Sequence, residues 1–137
     1  MQRLFLTAVM VRDYDEAIAF CVDKLGFEVR SDTPLSDSKR WVVLAPHGGG
    51  QGCILLAKAA SDEQAARIGN QTGGRVFLFL GTDDFERDYQ TYRDRGVCFV
   101  EAPRVEEYGM VAVLEDLYGN RWDLIQHTGE FGLAPVG

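Results

Sequence analysis

Asp123 and Arg121 stand two residues apart in the segment RWDLIQ, residues 121 to 126. Side chains alternate along a strand, so Arg121, Asp123 and Ile125 share one face and Trp122, Leu124 and Gln126 share the other. One face is apolar and led by a tryptophan; the other sets an acid beside a base. A carboxylate on an apolar surface can have its pKa raised and act as a base, or stay charged beside a cation. The plainer alternative is that Asp123 and Arg121 pair with each other or with a neighbouring strand. The remaining chemistry is sparse. Of two histidines, His47 lies in a Gly-rich turn and His127 at the end of the last strand. The HGGG run lacks the Lys-Ser/Thr and the helix that a phosphate loop needs. Cys21, Cys53 and Cys98 are odd in number and far apart, which fits buried thiols in a reducing compartment better than a disulfide framework. Cys53 and Cys98 read as core packing.

The elements that hold these residues repeat. Residues 3 to 11 are strand-like, and Asp13 caps a helix with Glu16 at capping-box spacing. Tyr14, Ile18, Cys21 and Leu25 form one apolar helical stripe that Gly26 stops. Strands follow at 27–30, 41–45 and 53–57. The second half repeats the order: a strand at 75–81, then a helix capped by Asp83 or Asp84, with a Phe85, Tyr89, Tyr92 stripe and a stop at Gly96. Three more strands follow at 97–100, 110–114 and 121–126. The expected fold is α+β, a single domain of two βαβββ modules in tandem. Module one is 3–57, a polar connector 58–74 carries a short helix at 62–68, module two is 75–127 and a tail is 128–137. Each unit has a sheet with one face under its helix and one open; two together leave a cup, a natural small-molecule site.

The bulk properties remove other classes. A net charge of -7 argues against a nucleic-acid backbone as partner. No apolar run approaches the roughly 18 residues that span a bilayer. The start of the chain lacks signal-peptide character, and the expected location is cytoplasmic.

Three motifs carry a resemblance: VMVRDYDEAIAFCVDKLGF (9–27), LGTDDFERDYQTYRDRGV (80–97) and EDLYGNRWDLIQ (115–126). With the repeat they cover nearly the whole chain, which resembles the vicinal oxygen chelate superfamily of glyoxalases, bleomycin-resistance proteins and extradiol dioxygenases. The resemblance implies a cup-shaped, half-open mixed sheet with helices on its outer face. It also implies a divalent metal held by His, Glu or Gln, one from each of four strands. The family's first-strand ligand precedes the helix-capping Asp by seven residues, which gives Leu6 and Phe77. The last-strand ligand lies four after the turn Gly, which gives Asp123. Matching GCILLA with RWDLIQ gives Ile54, to within one residue. One member of this quartet can bind a metal, so neither metal nor cofactor is expected. The chain looks closer to superfamily members that bind antibiotics without one.

The resemblance therefore implies a small-molecule ligand in an apolar cup, and many relatives form homodimers, as the open sheet edges here also suggest. Leu6, Ala8, Ile54, Phe77 and Phe79 share the cup-facing phase and form either an apolar ligand wall or a filled core. Trp41 fits either side of its strand, to stack on ligand or to pack. Glu106, Glu107 and Tyr108 lie in a loop where a lid could sit. The alternative reading is a lyase, isomerase or dioxygenase with Asp123 as base or as one ligand of an atypical metal site.

Overall fold

The structure, a computed structural model, describes residues 1–49 and 52–128. Gly50 and Gln51 of the expected Gly-rich turn, and 129–137 of the expected tail, lie outside the described residues. The chain divides between Gln71 and Thr72 into two compact units.

In the first unit, β1 (Leu6–Val11) leads into α1 (Tyr14–Ala19), which continues as a π-helical segment, Phe20–Lys24. Asp13 caps α1 by accepting a hydrogen bond from the Glu16 amide at 3.0 Å. β2 (Glu28–Pro34), β3 (Arg40–Ala45) and β4 (Cys53–Lys58) complete a sheet of order β1-β4-β3-β2, with β1 parallel to β4 and the rest antiparallel. Val9, Leu56 and Val42 are register partners and all are buried, as are Ile54 and Leu44 in the same phase. They form the core face under Tyr14, Ala17 and Cys21. A one-turn helix, α2 (Asp62–Ala65), is capped by Ser61. Beyond it the Gln71 side chain runs along the free edge of β1, accepting from the Met10 amide at 2.5 Å and donating to the Ala8 carbonyl at 3.2 Å. The amide thus takes the place of a strand partner.

The second unit repeats this plan. β5 (Val76–Gly81) precedes α3 (Phe85–Asp94), and β6 (Cys98–Phe99), β7 (Arg104–Glu106), β8 (Gly109–Glu115) and β9 (Arg121–His127) follow. The order is β5-β9-β8, with β6 and β7 both antiparallel to β8. β6 and β7 together occupy the place of β2, as one strand broken by residues 100–103. Asp84, not Asp83, caps α3, accepting from the Arg87 amide at 3.1 Å. Trp122, Leu124, Leu114 and Ala112 form the core face beneath Phe85 and Tyr92. Gln126 on that face accepts from the Phe85 amide at 2.8 Å, satisfying a free donor of the helix start. The fold is thus α+β, with two open mixed sheets, each carrying a helix on one face. Among the described residues no helix is long and apolar enough to cross a membrane.

Cys98 is exposed and Cys53 half-buried, so Cys21 is the cysteine that packs into a core. Cys98 pairs with Glu115 at the end of β8, on the outermost strand, where one side of the ladder is open.

Candidate functional site

The turn before β9 is built around one side chain, Asp116. Its Oδ1 accepts from the Tyr118 and Asn120 amides, both at 3.0 Å, and its Oδ2 from Asn120 Nδ2 at 3.0 Å and Trp122 Nε1 at 3.1 Å. Four donors on one carboxylate hold the turn and fix the indole on the core side. Strand alternation then turns Asp123 to the opposite face.

There Asp123 pairs in register with Phe79 of β5 and Val113 of β8. It is 7% exposed, and its Oδ1 has no hydrogen-bond partner among the described residues. Burial pushes its pKa above the ordinary 3.8, and the charge of Arg104 pulls the other way. Arg104 faces the same side, paired with Val111, which in turn pairs with Ile125. Tyr108 and Glu106 hydrogen-bond to its guanidinium and favour its charged form, and Glu101 pairs with it as well.

The sequence expectation gave Asp123 the wrong cation. Arg121 shares its face but is exposed, and among the described residues no ion pair joins the two. Nothing in the sequence marks Arg104, which lies in a strand of three residues, too short for a periodic signal. The residues expected as a lid are also displaced: Glu106 ends β7, and Glu107 and Tyr108 form the tight turn into β8.

Phe77 and Phe79 lie in the phase of Asp123. Phe77 is half-buried, at a register shift between Val76 and Leu78, and Phe79 is 67% exposed. In the first unit Leu6 is half-buried and Ala8 exposed, both on the face away from α1. Trp41 joins that face in phase with Val43 and is 39% exposed. Ile54 does not join it. Ile54 pairs with Thr7 and Leu44 and is buried under the helix, so the expected position is off by one. Leu55 pairs with Ala8 and Val43 as Asp123 pairs with Phe79 and Val113, which makes Leu55 the counterpart of Asp123.

With that correction the ligand positions that the resemblance implies carry Leu6 and Leu55 in the first unit and Phe77 and Asp123 in the second. Three are hydrocarbon, and among the described residues no three His, Cys, Asp or Glu side chains gather elsewhere. One carboxylate oxygen donor set does not fit a divalent ion, which takes at least three protein ligands in most sites.

Comparison with known proteins agrees with the repeated, helix-backed sheet. An uncharacterized protein of Shewanella frigidimarina (strain NCIMB 400) is 53% identical over 126 residues, covering 91% of this chain and 93% of its own. The crystal structure of UcmS2 matches with TM-score 0.80 at 30% identity, over 91% of this chain and 98% of that one. TnmS3, described as an antibiotic binding protein from Streptomyces sp. CB03234, matches with TM-score 0.76 at 27% identity, over 93% and 98% of the two chains. The model of one family spans residues 3–124, and the chain belongs to that family, the Glyoxalase/Bleomycin resistance protein/Dioxygenase superfamily.

Proposed function

We propose that the protein binds a small organic molecule on the helix-free sheet faces and does so without a divalent metal. The observation that carries this reading is the quartet Leu6, Leu55, Phe77 and Asp123, which replaces a donor set by hydrocarbon and one acid. The likeness to TnmS3, an antibiotic binding protein, supports a sequestering role. In the second unit the exposed Phe79 is the aromatic contact for ligand, with Phe77 as apolar wall; in the first, the exposed Trp41 stands with Leu6 and Ala8 on the helix-free face. Arg121 and Tyr108 are the polar groups at the margin of the Asp123 face. Protein purified without chelator should carry far less than one equivalent of zinc, nickel, iron or manganese by elemental analysis. Near-stoichiometric metal would sink the assignment and favour an enzyme.

One observation favours the second reading, a lyase, isomerase or dioxygenase. A buried carboxyl with raised pKa is suited to take a proton from a bound substrate. The sheets end in strands that pair on one side within their own sheet, β2 in one and β6 with β7 in the other. Such edges favour association of two chains. Light scattering at micromolar concentration should return about twice the chain mass, and a monomer at that concentration would rule the homodimer out. Three cysteines outside any disulfide suit the reducing cytoplasm.

A further inference from the structure

We propose that the ligand is a flat aromatic molecule with an uncharged hydroxyl donor at its edge, that Asp123 accepts this hydrogen bond, and that Phe79 is the stacking surface. The inference rests on the small-molecule reading above and gives that site its ligand class.

Among the described residues two polar side chains are buried, Asn120 and Asp123. Asn120 is satisfied, because its Nδ2 donates to Asp116. Asp123 has an enclosed Oδ1 with no donor among the described residues. Buried polar atoms in folded proteins are nearly all paired, so an orphaned carboxylate oxygen marks a place where a donor is missing. The surroundings say what kind of molecule brings it. Phe79 is the register partner of Asp123 on β5, so their Cβ atoms lie about 5 Å apart. Phe79 is 67% exposed and so free to stack on a ligand. On the other flank stands Val113, which offers no hydrogen bond. One acceptor in an apolar frame orients a ligand through a single donor.

The charges nearby select an uncharged donor. Arg104 stands on the same face, and its field reaches Asp123. The carboxylates that hold it, Glu101 and Glu106, are about as exposed as Arg104 itself, so water screens all three alike and much more than it screens Asp123. A cationic ligand would carry its own desolvation cost into the apolar frame, and an anionic one would meet the carboxylate. A hydroxyl avoids both and still makes a charge-assisted bond.

The test is calorimetric titration of the full chain with four probes at pH 7: 2-naphthol, 2-methoxynaphthalene, 2-naphthoate and 2-naphthylmethylammonium. The parent should bind 2-naphthol roughly 10-fold or more tightly than 2-methoxynaphthalene, the effect of one hydrogen bond to a charged acceptor. In Asp123→Ala that ratio should fall to about one. Asp123→Asn, which keeps an oxygen but no charge, should lie between. Phe79→Ala should weaken both probes alike. The proposal is overturned if the parent shows no preference for 2-naphthol, if the preference survives in Asp123→Ala, or if the ammonium probe binds tightest. Binding of the probes without preference would leave the small-molecule reading standing, whereas failure of all four to bind would overturn that reading together with the proposal.

Discussion

Trp122→Ala should lose about 3–5 kcal/mol of stability in urea unfolding, the range for truncating a large core aromatic. The indole is 3% exposed, lies in phase with the buried Leu124, and donates to Asp116 at 3.1 Å. Truncation removes its buried area and takes one of four donors from the carboxylate that organises the turn. The adjacent Asp123→Asn substitution should behave differently, changing stability at neutral pH by no more than about 1 kcal/mol. Its sign follows from linkage. The folded-state pKa of Asp123 is raised above 3.8 by burial, so its charged form is harder to hold in the folded chain than in the unfolded one. The cost is absent below the unfolded value, grows as pH rises from there to the folded pKa, and stays constant above it. Asparagine should therefore be neutral to stabilising at pH 7 and lose any advantage in acid. If Asp123→Asn destabilises as much as Trp122→Ala, the carboxylate belongs to a structural network and the site drawn around it is wrong.

Alternation and capping made most of the elements legible. Asp13 and Glu16 mark the start of α1, and the phase of RWDLIQ alone puts Trp122 under α3 and Asp123 on the other face. The repeat was equally plain because both halves use the same order of strand, helix and strands. The failures have physical causes. Ile54 was placed one residue out because every side chain from Ile54 to Leu56 is apolar, so composition carries no phase; the pairing of Leu55 with Ala8 supplies it. Trp41 was ambiguous for the same reason, in a strand whose two faces are both hydrophobic. Arg104 needed the pairing of β7 with β8, a contact that three residues cannot announce. Asp116 did leave a signal, an acid four residues before an Asn and three before a Gly. What it binds, however, depends on the turn closing so that Trp122 comes within reach.

The same hairpin that brings Arg104 to the face of Asp123 yields the second large effect. Gly109 begins β8 directly after the Tyr108 turn, with φ of 145°, a backbone that side-chain-bearing residues rarely adopt. A Cβ there would run into the Gln126 carbonyl oxygen, and would stand 2.9 Å from the Gln126 carbonyl carbon and 3.1 Å from His127 Cα. These are backbone atoms of β9, held in register by the pairing of Gly109 with His127, so no side chain can turn away to make room. Gly109→Ala should therefore cost roughly 3 kcal/mol or more, combining backbone strain with overpacking. Gly119→Ala is the control. It too has positive φ, 96°, but its Cβ would meet nothing within 4 Å. Conformational strain alone should cost it about 1 kcal/mol. Chemical denaturation of the two variants separates close approach from backbone preference. Relief of the clash requires β8 to move from β9, which would shift β7 and with it Arg104, whose charge acts on Asp123. Gly109→Ala should then weaken 2-naphthol binding as well as stability, whereas Gly119→Ala should spare binding. Equal and modest losses in both variants would mean that the β8–β9 approach is looser than the pairing of Gly109 with His127 describes.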